Sequence, residues 1–262
     1  MAQVASKTIK LGIIGCCGRM GRAIASLAVE DPRFRLVSAL EALGQSTNGQ
    51  DYGLVLGGKD KLGFKVTTDL DAATKAADVL IEFTAPDATI THAGAVAGHG
   101  KGLVIGTTGL SEAQVNELKS LSSRIPIVFS PNMSVGVNVL FELARVAALQ
   151  LGNDYDVEVI EAHHKQKKDA PSGTAKRLVE VLAQARKQKP GAIPTHAVRA
   201  GDIIGDHTVI LAGPSERLEL THRAQSRSVF AQGALRAAAF VARQSKGWFD
   251  MSHVLKASSE GK

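Results

Sequence analysis

Between residues 9 and 131, short apolar runs alternate with stretches of helical spacing, an order that implies βαβ units and a parallel sheet. "IKLGIIG" is an apolar run that ends on glycine. "RMGRAIASLAVED" then sets Met20, Ile24, Leu27 and Ala28 at helical spacing. "FRLVSALE" reads as a second strand and "KVTTD" as a third, with a short helix over residues 70 to 77. "DVLIEFTAPD" reads as a buried strand, "TITHAGAVAGHG" as a helix ended by Gly98 or Gly100, and "GLVIGTTGL" as another strand. Ser111 with Gln114 makes a capping box for "SEAQVNELKSL", and "IPIVFSPN" follows as a strand.

The pattern changes after Asn132, which sets a domain boundary there. "SVGVNVLFELARVAALQL" reads as one long apolar helix and "DVEVIEAHHK" as a strand running into a basic loop. "SGTAKRLVEVLAQARKQ" is an amphipathic helix that Pro190 and Gly191 are expected to terminate. "THAVRAG", "HTVILAG" and "RLELTHRAQ" read as strands without long helices between them, the last two joined as a hairpin through "PSE". "FAQGALRAAAFVARQ" reads as the final helix. The expected architecture is therefore α/β: a Rossmann-like parallel-sheet nucleotide domain, then an α+β domain with a mixed or antiparallel sheet.

Composition narrows the function classes. No apolar run reaches membrane-spanning length, and "MAQVASKTIK" lacks the apolar stretch of a secretion signal. Cys16 and Cys17 are the only cysteines and are adjacent; neighbours staple nothing distant, which points to a reducing, cytoplasmic setting. The net charge of +6 is spread along the chain and aromatics are 4% of residues, a balance that suits an anionic small molecule as well as nucleic acid.

A dinucleotide turn needs a delivering strand, a tight glycine turn and a helix N-terminus facing the pyrophosphate. "LGIIGCCGRMGRAI" supplies all three, although its glycines are spaced G-x-x-G-x-x-G, one residue longer than the usual fingerprint. Gly15 can make the turn, Gly18 permits close approach to phosphate, Gly21 permits close helix packing, and Arg19 adds a cation. Glu41 closes the second strand at the spacing of a ribose-binding acid. "GTTG" and "SPNMS" follow later strands, where ligands lie in an open parallel sheet.

The richest segment is "EAHHKQKKDAPSGTAKRL", with two histidines and three lysines in six residues before a helix start. Free amides at a helix N-terminus bind carboxylate, lysines bind it as point charges, and histidine donates protons near neutral pH. This describes a site for a small substrate with more than one carboxylate, with acids at hand. Zinc fits poorly, since adjacent histidines project differently and no spaced carboxylate or cysteine set supports them.

At these residues the chain resembles the dihydrodipicolinate reductases of bacterial and plant lysine and diaminopimelate synthesis. "GCCGRMG", "IEFTAPD", "GTTG", "SPNMSVGVN", "EAHHKQKKDAPSGTA" and "SRSVFAQGALRAA" occur in that family's order across nearly the whole chain. The resemblance implies NADH- or NADPH-dependent reduction of 4-hydroxy-tetrahydrodipicolinate by a homotetramer joined through its C-terminal sheets, with no nucleic-acid or membrane partner and no metal. It implies cofactor contacts at Gly15, Cys16, Cys17, Gly18, Arg19, Met20, Glu41, Gly106, Thr107, Thr108, Ser130, Pro131, Asn132 and Met133. It gives proton-donor positions to His163 and Lys167, which the residues alone do not rank, and substrate contacts to His164, Gly173 and Thr174. It also implies that residues 238–262 return to the nucleotide domain of residues 1–132, leaving 133–237 for substrate binding and tetramerisation.

One position departs from the family pattern. Many members carry Arg directly after the ribose acid, where it can meet the 2′-phosphate of NADPH; here Ala42 stands there. NADH is therefore expected to serve at least as well as NADPH. Two rival readings are another two-domain dehydrogenase acting on an amino acid or semialdehyde, and a non-enzymatic NAD(H)-binding regulator. The first needs no His-His-Lys loop before S-G-T. The second needs a basic recognition helix, whereas the helix carrying Lys176, Arg177, Arg186, Lys187 and Lys189 has an apolar stripe suited to burial.

Overall fold

Buried parallel strands should read as continuous apolar runs, and half-buried strands as alternation. The computed structural model, which describes residues 8–260, shows both kinds. Along the chain come β1 (Ile9–Ile14), α1 (Arg19–Glu30), β2 (Phe34–Leu40), α2 (Tyr52–Val55), β3 (Val66–Thr67), α3 (Leu70–Ala76), β4 (Val79–Glu82), α4 (Pro86–Gly98), β5 (Gly102–Ile105), α5 (Glu112–Leu121) and β6 (Pro126–Phe129). Then follow α6 (Val135–Leu151), β7 (Asp156–His163), α7 (Gly173–Ala185), a 3₁₀ turn (Pro190–Ala192), β8 (Thr195–Arg199), β9 (Asp206–Ala212) and β10 (Arg217–Arg223). The described chain closes with α8 (Ser228–Val241), β11 (Gly247–Phe249) and α9 (Met251–Glu260).

Two compact units result: Met1–Met133 with Phe230–Lys262, and Ser134–Val229. In the first, seven parallel strands run in the order β11-β6-β5-β4-β1-β2-β3. Every residue of β4 and β5 is buried, and Leu80, Leu103 and Ile105 join Leu118 of α5 and Val96 of α4 in one core. The return to this unit comes at Phe230, earlier than the expected residue 238. Gly233 explains it: a Cβ there would lie 1.7 Å from the Met133 carbonyl oxygen, so α8 seats directly on the end of this unit's last loop.

The second unit holds a four-stranded sheet of order β10-β9-β7-β8, mixed because β7 pairs parallel with β8 and antiparallel with β9. Burial alternates along β7 and β9. Val157, Val159, Val209 and Leu211 point into a core closed by Leu140, Ala144 and Ala148 of α6 and Leu178 and Leu182 of α7.

Several local expectations needed correction. β4 stops at Glu82 and α4 starts at Pro86, because Pro is favoured in the first helical turn. Helix α7 does not run to Pro190. It ends at Ala185 through paired bonds from the Lys187 amide to Gln184 O (3.2 Å) and the Gln188 amide to Ala183 O (2.8 Å), with Lys187 left-handed at φ 53°. Nor is α8 final, since β11 and α9 follow it. No helix among the described residues is long and apolar enough to cross a membrane.

Candidate active site

The residues expected to hold a dinucleotide gather at the carboxyl ends of β1, β2, β5 and β6. Gly15 takes φ +78°, and a Cβ there would strike the Phe83 carbonyl oxygen at 2.4 Å, so the turn requires glycine twice over. Gly21 fits against the turn itself: its Cβ would lie 2.2 Å from the Gly15 carbonyl oxygen. Gly18 caps α1 without a side-chain bond, which leaves the first-turn amides of Arg19 and Met20 to a ligand. Gly18 and Arg19 are exposed and Met20 is half-buried. Glu41 stands beside the turn, its Oε2 accepting the Cys17 amide at 2.8 Å and its Oε1 the Ala42 amide at 3.0 Å. Leu43, two positions on, is 87% exposed.

Cys16 is fully buried, and its carbonyl accepts the Tyr52 hydroxyl at 2.8 Å. Burial first, then the neighbouring Cys17, pushes the Cys16 thiol far up, so it is no thiolate at neutral pH. Both cysteines are free, with sulfurs 3.7 Å apart, and Cys17 Sγ sits 3.1 Å from Thr47 Oγ1. Their sulfurs and a Glu41 oxygen lie within 4.8 Å of one another, a grouping whose carboxylate is already occupied by backbone amides.

Beneath the next two loops lies a residue that the sequence did not single out. Glu82 is fully buried at the end of β4. Its Oε2 accepts Thr107 Oγ1 at 2.6 Å, and its Oε1 accepts Thr89 Oγ1 at 2.9 Å and the Thr84 hydroxyl. Thr107 Oγ1 also accepts the Thr84 amide at 2.9 Å, so its hydroxyl ties the loops after β4 and β5 together and is spent there. Thr108 is exposed and free to face a ligand. Gly106 makes room for the Phe83 ring, which a Cβ would meet at 2.0 Å. After β6, Ser130 Oγ donates to the Asn132 carbonyl at 2.8 Å, Pro131 is exposed, and Met133 is buried.

The basic loop belongs to the second unit. Glu161 and His163 alternate inward on β7, and His163 pairs in register with Arg199 on β8. Glu161 is fully buried and saturated: Arg199 donates Nη1 to Oε2 (2.9 Å) and Nη2 to Oε1 (2.7 Å), the Ser172 amide donates to Oε1 (3.1 Å), and His163 Nδ1 meets Oε2. Burial works to raise the Glu161 carboxyl, but the Arg199, His163 and Ser172 bonds outweigh it and hold it below the usual range. Burial lowers His163, with the Glu161 contact only partly offsetting it, so the ring is neutral at pH 7. His207 stacks edge-on to His163 with centroids 5.2 Å apart, and its Nε2 lies 3.3 Å from Ser172 Oγ.

Ser172 caps α7 by accepting the Ala175 amide at 3.2 Å. Thr174 is buried behind the cap, whereas Gly173 is exposed and a Cβ there would meet nothing within 4 Å. Lys167 Nζ pairs with Asp169 Oδ1 at 2.8 Å. His164 is half-buried, with a buried Nδ1 that has no partner. His163, His164, Lys167, Gly173 and Thr174 are thus brought together in one unit, and the cofactor-type residues in the other. Sequence reasoning missed Glu82, Glu161, Arg199 and His207. Glu82 ends an apolar strand, which is the signal available for it, whereas Glu161, Arg199 and His207 lie in strands of mixed polarity and depend on partners from other elements.

Comparison with known proteins follows the same division. Residues 9–133 match the family model described as dihydrodipicolinate reductase, N-terminus, and residues 136–255 match the C-terminus model. A Burkholderia ambifaria (strain MC40-6) protein described as 4-hydroxy-tetrahydrodipicolinate reductase is 46% identical over 264 residues, covering 94% of this chain and 99% of that protein. A relative of the same description from Burkholderia mallei (strain SAVP1) is 44% identical over 265 residues, covering 95% and 98%. Among solved structures, the dipicolinate-bound dihydrodipicolinate reductase from Paenisporosarcina sp. TG-14 shares the fold at TM-score 0.74, with 24% identity and 93% and 97% coverage.

Proposed function

The chain belongs to the dihydrodipicolinate reductase family, and from that premise we propose that it reduces 4-hydroxy-tetrahydrodipicolinate to tetrahydrodipicolinate with a reduced nicotinamide cofactor. This is an oxidoreductase step of lysine and diaminopimelate synthesis. The observation that carries the reading is the Glu161–His163 pair set beside Lys167 and the open start of α7. A cyclic dicarboxylate suits this place, because the start of α7 presents exposed Gly173 to one carboxylate and the loop offers cations to the other.

The bound cofactor supplies a hydride. Gly15, Gly18 and the first-turn amides of α1 suit its pyrophosphate, and Glu41 suits the adenine ribose hydroxyls. Loss of the substrate hydroxyl as water leaves a conjugated imine, hydride addition leaves an electron-rich enamine, and a proton must then arrive at carbon. Lys167 is the better proton source. A neutral His163 has no acidic proton to give at pH 7, whereas the Lys167 ammonium both donates and stabilises the anionic substrate. His163 and His164 then serve as hydrogen-bonding contacts.

NADH is expected to be used at least as well as NADPH. A 2′-phosphate would sit beside Glu41, and exposed Ala42 offers it no cation. Exposed Arg19 at the start of α1 is the cation of the turn proposed to meet it. A homotetramer suits the second unit: helices α6 and α7 cover one sheet face, while Ile160, Ala162 and Ile210 on the other are only half-buried. The free thiols and the biosynthetic reaction suit the cytoplasm.

The test is loss of reduced-cofactor absorbance with freshly made substrate, NADH and NADPH run in parallel. Cofactor consumption only when the dicarboxylate is present supports the reading. No consumption with either cofactor refutes it, and light scattering on the same sample reads the oligomer.

A further inference from the structure

We propose that Glu161 is a positioning residue for the reduction: it fixes the tautomer and orientation of His163, and Arg199 acts behind it by holding the carboxylate. The inference rests on the reading of His163 as part of the reducing site.

Glu161 is fully buried, and both oxygens are taken by Arg199 at 2.7 and 2.9 Å and by the Ser172 amide at 3.1 Å before His163 is counted. An ionised carboxylate only accepts, so the His163 Nδ1 that meets Oε2 must carry a hydrogen. A neutral imidazole has one N–H. With Nδ1 committed, Nε2 is bare and can accept a hydrogen bond but not give one.

The surroundings hold the ring in that pose. The His207 ring packs edge-on at 5.2 Å and 76°, and a Cβ at Gly205 would come within 3.1 Å of His163 Nε2, so only glycine keeps that nitrogen uncrowded. The groups facing the ring are Glu161 on β7, Arg199 on β8, His207 on β9, and Lys167 with Asp169 on the loop. Behind them, His222 on β10 bears on His207, and Asp206 on β9 bears on His222. Among them only Glu161 contacts a His163 ring nitrogen. The division of labour follows: Lys167 gives the proton, and a bare Nε2 accepts from substrate or water and orients it.

The test uses the full chain with ¹⁵N-labelled histidine. Long-range ¹H–¹⁵N spectra of the wild type at neutral pH should show His163 with a hydrogen on Nδ1 and a bare Nε2. Glu161→Gln should disturb that tautomer and lower kcat about 10- to 100-fold, the size found for carboxylates that orient metal-bound histidines. The KM for NADH should stay unchanged. In a His163→Asn background, the same Glu161→Gln change should lower kcat no further. Because Glu161→Gln leaves the Arg199 charge unpaired and can impair folding, Arg199→Lys is the second variant. It keeps the charge, loses the fork, and should give a smaller kcat loss with the same tautomer signature.

A wild-type His163 carrying its hydrogen on Nε2 overturns the inference, as does a Glu161→Gln loss that persists in full without His163. If His163→Asn alone leaves kcat intact, the assignment of His163 falls and the positioning role falls with it. That outcome is distinct from the additive cycle, which would sink the positioning role alone.

Discussion

His207 should make the second unit lose stability in mild acid. The residue is 3% exposed, and its Nδ1 has no hydrogen-bond partner. Burial first, then the neighbouring His163, pushes its pKa from 6.5 to about 3. The unfolded chain therefore binds a proton below 6.5 that the folded chain refuses until about 3. Stability is complete above 6.5 and falls as pH drops through that window. At about pH 5 the unfolded histidine is roughly 1.5 pH units below its midpoint, and at about 1.36 kcal/mol per unit the loss is about 2 kcal/mol. Any folded value below about 4 gives nearly the same figure, because the folded ring is then neutral at that pH. His207→Gln removes the titration and keeps a donor for Ser172 Oγ. Urea unfolding of both proteins at about pH 8 and about pH 5 gives the comparison. The wild type should lose about 2 kcal/mol more than the variant between the two conditions. Equal losses would show that His207 is not the buried neutral base described.

Other outcomes follow from the same contacts. Gly21→Ala places a methyl 2.2 Å from the Gly15 carbonyl oxygen and should abolish tight NADH binding, read by fluorescence titration; wild-type affinity would contradict the turn geometry. Lys167→Ala should lower kcat by about 10²- to 10⁴-fold with the NADH affinity unchanged, and near-normal turnover would move the donor role elsewhere. At Gly173, Ala should leave thermal stability within about 0.5 kcal/mol of wild type, since the added methyl meets nothing, whereas Phe should raise the KM for the dicarboxylate alone. Ala42→Arg should improve kcat/KM for NADPH by about ten- to a hundredfold, the worth of one charge-assisted contact; no change would place phosphate recognition at another residue.

The parallel sheet was legible because β4 and β5 are continuous apolar runs, and the capping box at Ser111 formed as its spacing required. Glycine chemistry was legible at Gly15, where a positive φ and a close carbonyl both demand it. What escaped was non-local or too short. β11 is three residues, too few to show a period, and exists because it pairs with β6. The end of α7 was misplaced because a lysine, not a glycine, took the left-handed position. Glu82 sits inside "VLIEF" and is satisfied by threonines from two other segments, which no local pattern reports. Arg199 meets Glu161 only because β8 pairs beside β7. Within the basic loop the residue types were plain, but the neutral state of His163 depends on burial.

The place of β11 bears on how the chain is made. Ribosomes deliver β6 long before β11, with all of the second unit emerging in between. The second unit is continuous in sequence and can close as soon as β10 is out. The first unit cannot: until the last segment arrives, "PIVF" of β6 presents an apolar strand edge with unpaired amides and carbonyls. The usual order in which the N-terminal domain folds first is thus inverted in its completion. Chains stalled or clipped between β10 and β11 would carry a finished second unit and an open sheet edge, the species most prone to pair with one another or to need a chaperone.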